Sequence, residues 1–277
     1  MATGAPPAEQ SRTLNVAAET VAVLVVSLVV LLFLGLPVFA IIERALRNSD
    51  VIDAASSSEV IQALRLSFET TAISLALVIL FGTPLAYLLA RSQFPGHEVV
   101  DALIDLPIVL PPAVGGLGLL LAFGRNGLLG SRLDGLGIDL AFTTAAVVMA
   151  QTFVASPFYI RAAKAGFEAI DRDLENVAYT LGSSRTGVFF RVAIPAAVPA
   201  LMAGAVMAWA RALGEFGATI MFAGSFPGRT QTVPLAIYRS LETGIDVPLA
   251  LSAILIVISF AILLTFRLLM KRAAFTL

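Results

Sequence analysis

Residues 21–42 read VAVLVVSLVVLLFLGLPVFAII, and this charge-free run decides the class of the protein. Crossing about 30 Å of hydrocarbon takes roughly 20 apolar residues in a helix. Only helices and closed barrels satisfy the backbone inside lipid, so an uninterrupted run of this length predicts a membrane-spanning helix. The run exceeds the roughly 7–15 apolar residues of a cleavable signal peptide, and we expect it to remain as an anchor.

Further apolar stretches of similar length follow along the chain of 277 residues. The composition agrees with a membrane protein, because 58% of the residues are hydrophobic and only 13% are charged, against about 25% charged in soluble domains. We predict an all-α integral membrane protein with six transmembrane helices. The predicted spans are residues 21–42, 70–90, 106–124, 140–160, 192–213 and 247–267.

Six spans place both termini on one side of the membrane. Basic residues are more frequent in the segments on that side, and the loop 161–191 supplies the largest share of them. Because cytoplasmic loops are enriched in Lys and Arg, we expect both termini in the cytoplasm. The predicted organisation is a flexible cytoplasmic tail at 1–18, one membrane domain at 19–272 and a short cytoplasmic tail at 273–277.

Several kinds of chemistry are excluded by the residues that the chain lacks. It has no cysteine and one histidine, so disulfides, thiolate metal sites and a conventional zinc site are absent. It contains no Gly-x-x-x-x-Gly-Lys sequence that could cradle a nucleotide phosphate. We therefore expect no catalytic residues, no bound cofactor or metal, and no nucleic-acid partner.

The polar loop 161–191 predicts a short amphipathic helix outside the membrane. Acidic residues near its start suit the positive end of a helix dipole, and Gly182 stands where a left-handed C-terminal cap belongs. A second helix should then run towards Pro195. The apolar stripe either binds a partner or packs on the inner face of this chain. The stripe consists of Leu174, Val177, Ala178 and Leu181, and the acidic residues include Asp171 and Glu175.

The same loop resembles the E-A-A loop of importer-type ABC transporter permeases. That pattern is Glu-Ala-Ala, three residues, Gly, nine residues and then Ile-x-Leu-Pro. Here Gly182 is followed by nine residues and Val192-Ala193-Ile194-Pro195, while Asn176-Val177-Ala178 replaces Glu-Ala-Ala, with Glu175 one position earlier. The resemblance implies a type I importer permease fold in which the loop 161–191 carries a coupling helix. It also implies two separate ABC ATPase subunits that dock at this loop and bind ATP and magnesium.

Three further stretches resemble the molybdate and tungstate permeases, with sulfate permeases as relatives. They are DLPIVLPP at 105–112, ARALGEFGAT at 210–219 and PGRTQTVPLAIY at 227–238. The resemblance implies a homodimer in a prokaryotic plasma membrane that receives its oxyanion from an extracytoplasmic binding protein. A sulfate or thiosulfate permease is the first alternative, and an ion-driven secondary transporter is the second.

These stretches supply candidate pathway and contact residues, each with a plainer alternative. Pro107, Pro111, Pro112 and Gly115 predict a kinked, closely packed helix that lines a gate, or a static kink. Arg211 and Glu215, four residues apart, form either a charged pair beside the pathway or a structural ion pair. Arg229 and Thr230 contact the binding protein or lie in a solvated turn.

Overall fold

A computed structural model describes the backbone of residues 7–274 and the side chains of residues 20–268 except Ser131. The described residues are mostly helical and contain no strand. The helices are α1 Pro7–Arg47, α2 Ser49–Ala55, α3 Ser58–Arg91, α4 His97–Val109, α5 Pro112–Phe123, α6 Gly130–Asp134, α7 Thr144–Glu168, α8 Arg172–Thr180, α9 Arg185–Val188, α10 Ile194–Leu213, α11 Gly217–Ala223, α12 Val233–Ser240 and α13 Asp246–Ala274; the π turn Phe189–Ala193 joins α9 to α10.

Within the described residues, four helical stretches are long and apolar enough to cross a membrane. They are Thr20–Arg47 in α1, all of α3, the continuous stretch Arg185–Leu213, and Asp246–Leu268 in α13. The predicted spans 21–42, 70–90 and 192–213 lie inside the first three, and 247–267 lies inside the fourth. The chain is therefore a multi-pass membrane protein.

The predicted span 106–124 is not one continuous helix. The structure divides it into α4 and α5, which are bent by 117° relative to each other and count as a fifth span only if taken together. Leu110 ends α4 in an extended conformation, as expected of a residue that precedes a proline. Pro112 then starts α5 at a position where its missing N–H costs nothing. Pro107 lies inside α4 without ending it.

Helix α7 covers most of the predicted span 140–160 but begins only at Thr144 and continues to Glu168. In the described part of the chain it does not pass the same test of length and apolarity. It is instead the central helix of the fold, packed between α3 and α10. A Cβ atom at Gly204 of α10 would lie 2.9 Å from Ala162, so the two helices approach as closely as small residues permit.

The N-terminal segment differs from the predicted flexible tail. Helix α1 begins at Pro7, so residues 7–18 extend the first helix. Proline is tolerated in the first turn of a helix, and the Ala, Glu, Gln and Arg residues that follow favour helix. At the other end α13 reaches Ala274. Residues 1–6 and 275–277 of the two predicted tails lie outside the described residues.

Candidate functional site

Helix α8 forms in the polar loop as predicted, and both of its ends are capped. The side chain of Asp171 accepts a hydrogen bond of 3.0 Å from the backbone N–H of Asp173 at the start. At the end Gly182 has φ of +85°, and the N–H of Ser183 donates to the carbonyl of Ala178. This pattern is a Schellman cap, which a glycine completes at low cost. The short helix is thus fixed by local sequence.

The apolar stripe of α8 faces away from the rest of the chain. Leu174 and Val177 are each 56% exposed and Leu181 is 81% exposed, while Ala178 is half-buried. The alternative in which the stripe packs on the inner face of this chain is therefore wrong. Several large apolar side chains in a row on the surface are characteristic of a binding surface. Asn176 is also exposed beside the stripe.

Glu175 lies on the opposite face of α8, where it is only 6% exposed. Its carboxylate accepts from Nε of Arg91 at 2.9 Å and from the hydroxyl of Tyr87 at 3.1 Å. The prediction that Glu175 belongs to the docking surface is wrong, because its side chain is occupied within this chain. Arg91 and Tyr87 were not predicted as site residues; in the sequence Arg91 marks only the end of an apolar stretch.

The chain leaves α8 through a second capped turn and enters the membrane through a π turn. The hydroxyl of Ser184 accepts from the N–H of Gly187 at the start of α9. The π turn follows directly, and Pro195 lies in the first turn of α10. Because Pro195 has no N–H, the helix cannot keep its regular hydrogen bonds there. Pro195 therefore lies at the entry to α10, beyond α8 itself.

A second charged cluster at the same end joins α4 to α7. Arg161 donates to Asp105 at 2.6 and 2.7 Å and to Asp101 at 2.8 and 2.9 Å. Lys164 donates to Asp101 at 2.9 Å. The acids are four residues apart and the bases three apart, so each pair shares one helix face. The spacing is visible in the sequence, but no feature of the sequence indicates that α4 packs against α7.

At the opposite end of the molecule, α5 packs closely on α11. A Cβ atom at Gly116 would lie 2.5 Å from the carbonyl oxygen of Ala218, and one at Gly217 would lie 2.9 Å from Pro112. A Cβ atom at Gly115 would lie 2.8 Å from the ring of Phe153. The predicted close packing around Pro112 and Gly115 is therefore present. Their role in a gate stays a prediction.

Arg211 and Glu215 form the predicted pair, with Nη1 and Oε2 2.6 Å apart. Glu215 is fully buried, and its other oxygen accepts from the backbone N–H of Ala218 at 2.7 Å. Both oxygens of the carboxylate thus hold the junction between α10 and α11. This is the geometry of the structural ion pair, the plainer of the two interpretations.

Arg229 and Thr230, the predicted binding-protein contacts, have different environments. Thr230 is fully buried, and its hydroxyl accepts from the N–H of Phe226 and donates to the carbonyl of Gly224. It stabilises the turn, so its assignment as a contact is wrong. Arg229 is exposed and lines a cavity of about 650 Å³ at the end of the molecule opposite α8.

The same cavity is also lined by an exposed ion pair. Nη2 of Arg125 lies 2.5 Å from a carboxylate oxygen of Asp139, and this hydrogen bond raises the pKa of the Arg125 guanidinium. Phe142, at the wall of the cavity, has a positive φ of 60°. A non-glycine residue in this region is uncommon, and such positions are often held by the surrounding structure.

Comparisons with known proteins identify the family. Residues 82–274 match the model of the family described as binding-protein-dependent transport system inner membrane component. The molybdenum transport system permease protein ModB of Mycobacterium bovis is 47% identical over 202 residues, covering 73% of this chain and 76% of ModB. The probable sulfate transport system permease protein cysT of Nephroselmis olivacea is 33% identical over 214 residues, covering 76% of this chain and 75% of cysT.

A solved structure shows the same fold. A bacterial ABC transporter involved in the import of the acidic polysaccharide alginate superimposes with a TM-score of 0.73 at 18% identity. The match covers 95% of this chain and 99% of that chain. The predicted importer-permease fold is thereby confirmed. The chain belongs to the family of binding-protein-dependent transport system inner membrane components.

Proposed function

We propose that this chain is the membrane-spanning permease subunit of an ATP-driven importer for molybdate. The observation that carries the proposal is the solvent-exposed apolar stripe of α8. This capped helix leaves Leu174, Val177 and Leu181 available to a partner. The substrate follows from the relatives, since identity is 47% to the molybdenum permease and 33% to the sulfate permease. Tungstate has the same charge and tetrahedral shape as molybdate, and we include it as a substrate.

The partner at α8 is an ABC ATPase subunit, which binds ATP and magnesium in place of this chain. Apolar side chains of α8 would enter a groove on that subunit, as an amphipathic helix enters the groove of its receptor. Two such ATPases would approach each other when ATP binds. The docked helices would then move the membrane helices between inward-open and outward-open arrangements as rigid bodies.

The assembly and its orientation complete the proposal. Two copies of this chain form a homodimer around the pathway, and α8 lies in the cytoplasm together with both termini. Basic residues concentrated at the α8 end, among them Arg161, Arg172 and Arg185, support this orientation. An extracytoplasmic binding protein delivers the oxyanion at the opposite end, where Arg229 is exposed. The membrane is a prokaryotic plasma membrane.

The test is oxyanion-stimulated ATP hydrolysis in proteoliposomes that contain this chain, its ATPase and its binding protein. Molybdate, tungstate and sulfate are compared at equal concentrations. We expect molybdate and tungstate to stimulate hydrolysis and sulfate to leave it near the basal rate. Stimulation by sulfate alone would overturn the substrate, and failure to assemble with any ATPase would overturn the importer itself.

A further inference from the structure

Helix α8 has two faces that differ in what they contact. Its apolar stripe is exposed. The structure describes every residue of α8, and Glu175 is the one among them that is buried. A carboxylate inside a protein is costly unless donors surround it. Glu175 therefore holds α8 on the membrane helices through specific polar contacts rather than through apolar packing.

Arg91 provides the first of these contacts from the last turn of α3. Its Nε and Nη2 both lie within 2.9 Å of Oε1 of Glu175. The same Nη2 donates to the carbonyl of Ile170 at 3.1 Å, just after the end of α7. The planar guanidinium fixes these directions in a way that a lysine cannot. A single side chain thus ties α8 to α3 and to the end of α7.

Tyr87, one turn before Arg91, provides the second contact. Its hydroxyl donates to Oε2 of Glu175, so each carboxylate oxygen has a donor from α3. Its ring packs edge-on against Phe167 of α7, with centroids 5.2 Å apart, and at a tilt of 56° against Phe189, with centroids 4.9 Å apart. Phe189 is the first residue of the π turn that leads into α10. Such turns are frequent at functional sites.

We propose that Glu175, Arg91 and Tyr87 are positioning residues that transmit the displacement of α8 to α3, α7 and α10. The inference rests on the proposed function, in which an ATPase moves α8. The exposed stripe binds the ATPase, and the buried carboxylate makes the membrane helices follow it. These contacts allow α8 little movement relative to α3, since both Glu175 oxygens accept hydrogen bonds of 3.1 Å or less.

The test compares Glu175→Gln, Tyr87→Phe and the control Asp173→Asn in the full complex with the ATPase and binding protein. Asp173→Asn removes the same charge from the same helix, but Asp173 is exposed. Three quantities are measured: retention of the ATPase on purification, the rate of ATP hydrolysis, and uptake of labelled molybdate into proteoliposomes. The decisive value is molybdate taken up per ATP hydrolysed.

A merely structural role would lower the amount of working complex and reduce uptake and hydrolysis together, so their ratio would not change. Loss of transmission lowers the ratio while the ATPase stays bound. We expect Glu175→Gln to lower it about tenfold, because a buried arginine then loses its charged partner. Tyr87→Phe removes one hydrogen bond and keeps the ring, so we expect about a threefold reduction. Asp173→Asn should match the wild type.

Other results would overturn the inference. An unchanged ratio in Glu175→Gln would show that the buried pair transmits nothing, and loss of the ATPase from that variant would make Glu175 a docking residue instead. If Glu175→Gln does not fold, Tyr87→Phe decides by the same ratio. A wild-type complex that takes up no molybdate would refute the proposed function and this inference with it, whereas an active wild type with unaltered variants refutes only the inference.

Discussion

The two ends of the molecule are built from different interactions, although the same helices α3, α7 and α10 run between them. The α8 end is held by charged side chains, with Glu175 bound to Arg91 and Arg161 bound to two aspartates. At the opposite end α5 and α11 are held by close backbone approach, as where Gly116 meets Ala218, and the charged pair Arg211–Glu215 there links residues only four positions apart in the chain. Ion pairs fix direction as well as distance, whereas contacts of small residues fix only how near two helices lie.

The difference indicates which contacts can pass a displacement of one helix on to others. At the α8 end the polar side chains join helices that are far apart in the chain, α8 to α3 and α7 to α4, so a displacement there is shared among them. At the opposite end α5 and α11 meet where Gly116 and Gly217 let their backbones come close to Ala218 and Pro112. The two ends should therefore respond differently to the same kind of substitution.

The largest effect should come from a charge on the exposed stripe of α8. If α8 binds the ATPase as proposed, Val177→Asp places a carboxylate in an apolar groove, and we expect the affinity of the permease for the ATPase to fall about a hundredfold or more, near 3 kcal/mol. Co-purification of the ATPase with the permease measures it. The matched control is Leu128→Asp, an exposed leucine at the opposite end, which should retain the ATPase fully. Equal loss in both variants would remove the distinction between the ends.

A smaller effect is expected from filling the close contact at the opposite end. Gly116→Ala puts a methyl group 2.5 Å from a backbone oxygen, and overpacking of this kind costs about 1–3 kcal/mol. Gly118→Ala lies on the same helix with nothing within 4 Å of the new atom, so it should be nearly neutral. Denaturation of the purified protein in detergent compares the two. Equal stability would mean that α5 and α11 do not pack as described.

The smallest effect is expected when an ion pair at each end is broken and the losses of stability are compared. Arg161→Met leaves Asp105 without its cation, and because the pair is partly exposed we expect a loss of about 1–2 kcal/mol. Arg125→Met breaks a pair at the opposite end in which Arg125 is 70% exposed, against 29% for Arg161. That loss should be smaller, because water and salt screen an exposed pair. The same denaturation experiment ranks them, and a larger loss for Arg125→Met would reverse the comparison.

The sequence predicted what local rules determine. The cap of α8 at Gly182 and four of the apolar spans depend on residues within one helix or turn, and the structure has them. The apolar stripe of α8 was predicted, but the sequence left open whether it faces a partner or the rest of this chain. Glu175 was assigned to the wrong face because its partner Arg91 is 84 positions away in the chain.

Two other errors have the same origin in tertiary context. Three prolines predicted a kink in the third span. The position and size of the bend, however, depend on Leu110, which precedes Pro111 and has an extended conformation. Thr230 lies in a segment whose composition is typical of a surface turn, but the residues packed around it bury its side chain. The charged cluster of Arg161 was invisible because spacing shows which residues share a face and not which faces meet.

Cysteine labelling of α8 with and without the ATPase is the most direct test of whether the exposed stripe of α8 is the docking surface. The chain has no cysteine of its own, so Val177→Cys, Leu181→Cys and the control Leu128→Cys each carry a single reactive thiol. A polar maleimide is applied to each variant. We expect the ATPase to protect Val177→Cys and Leu181→Cys from labelling and to leave Leu128→Cys as reactive as before. Undiminished labelling of both α8 variants in the assembled complex would contradict that expectation.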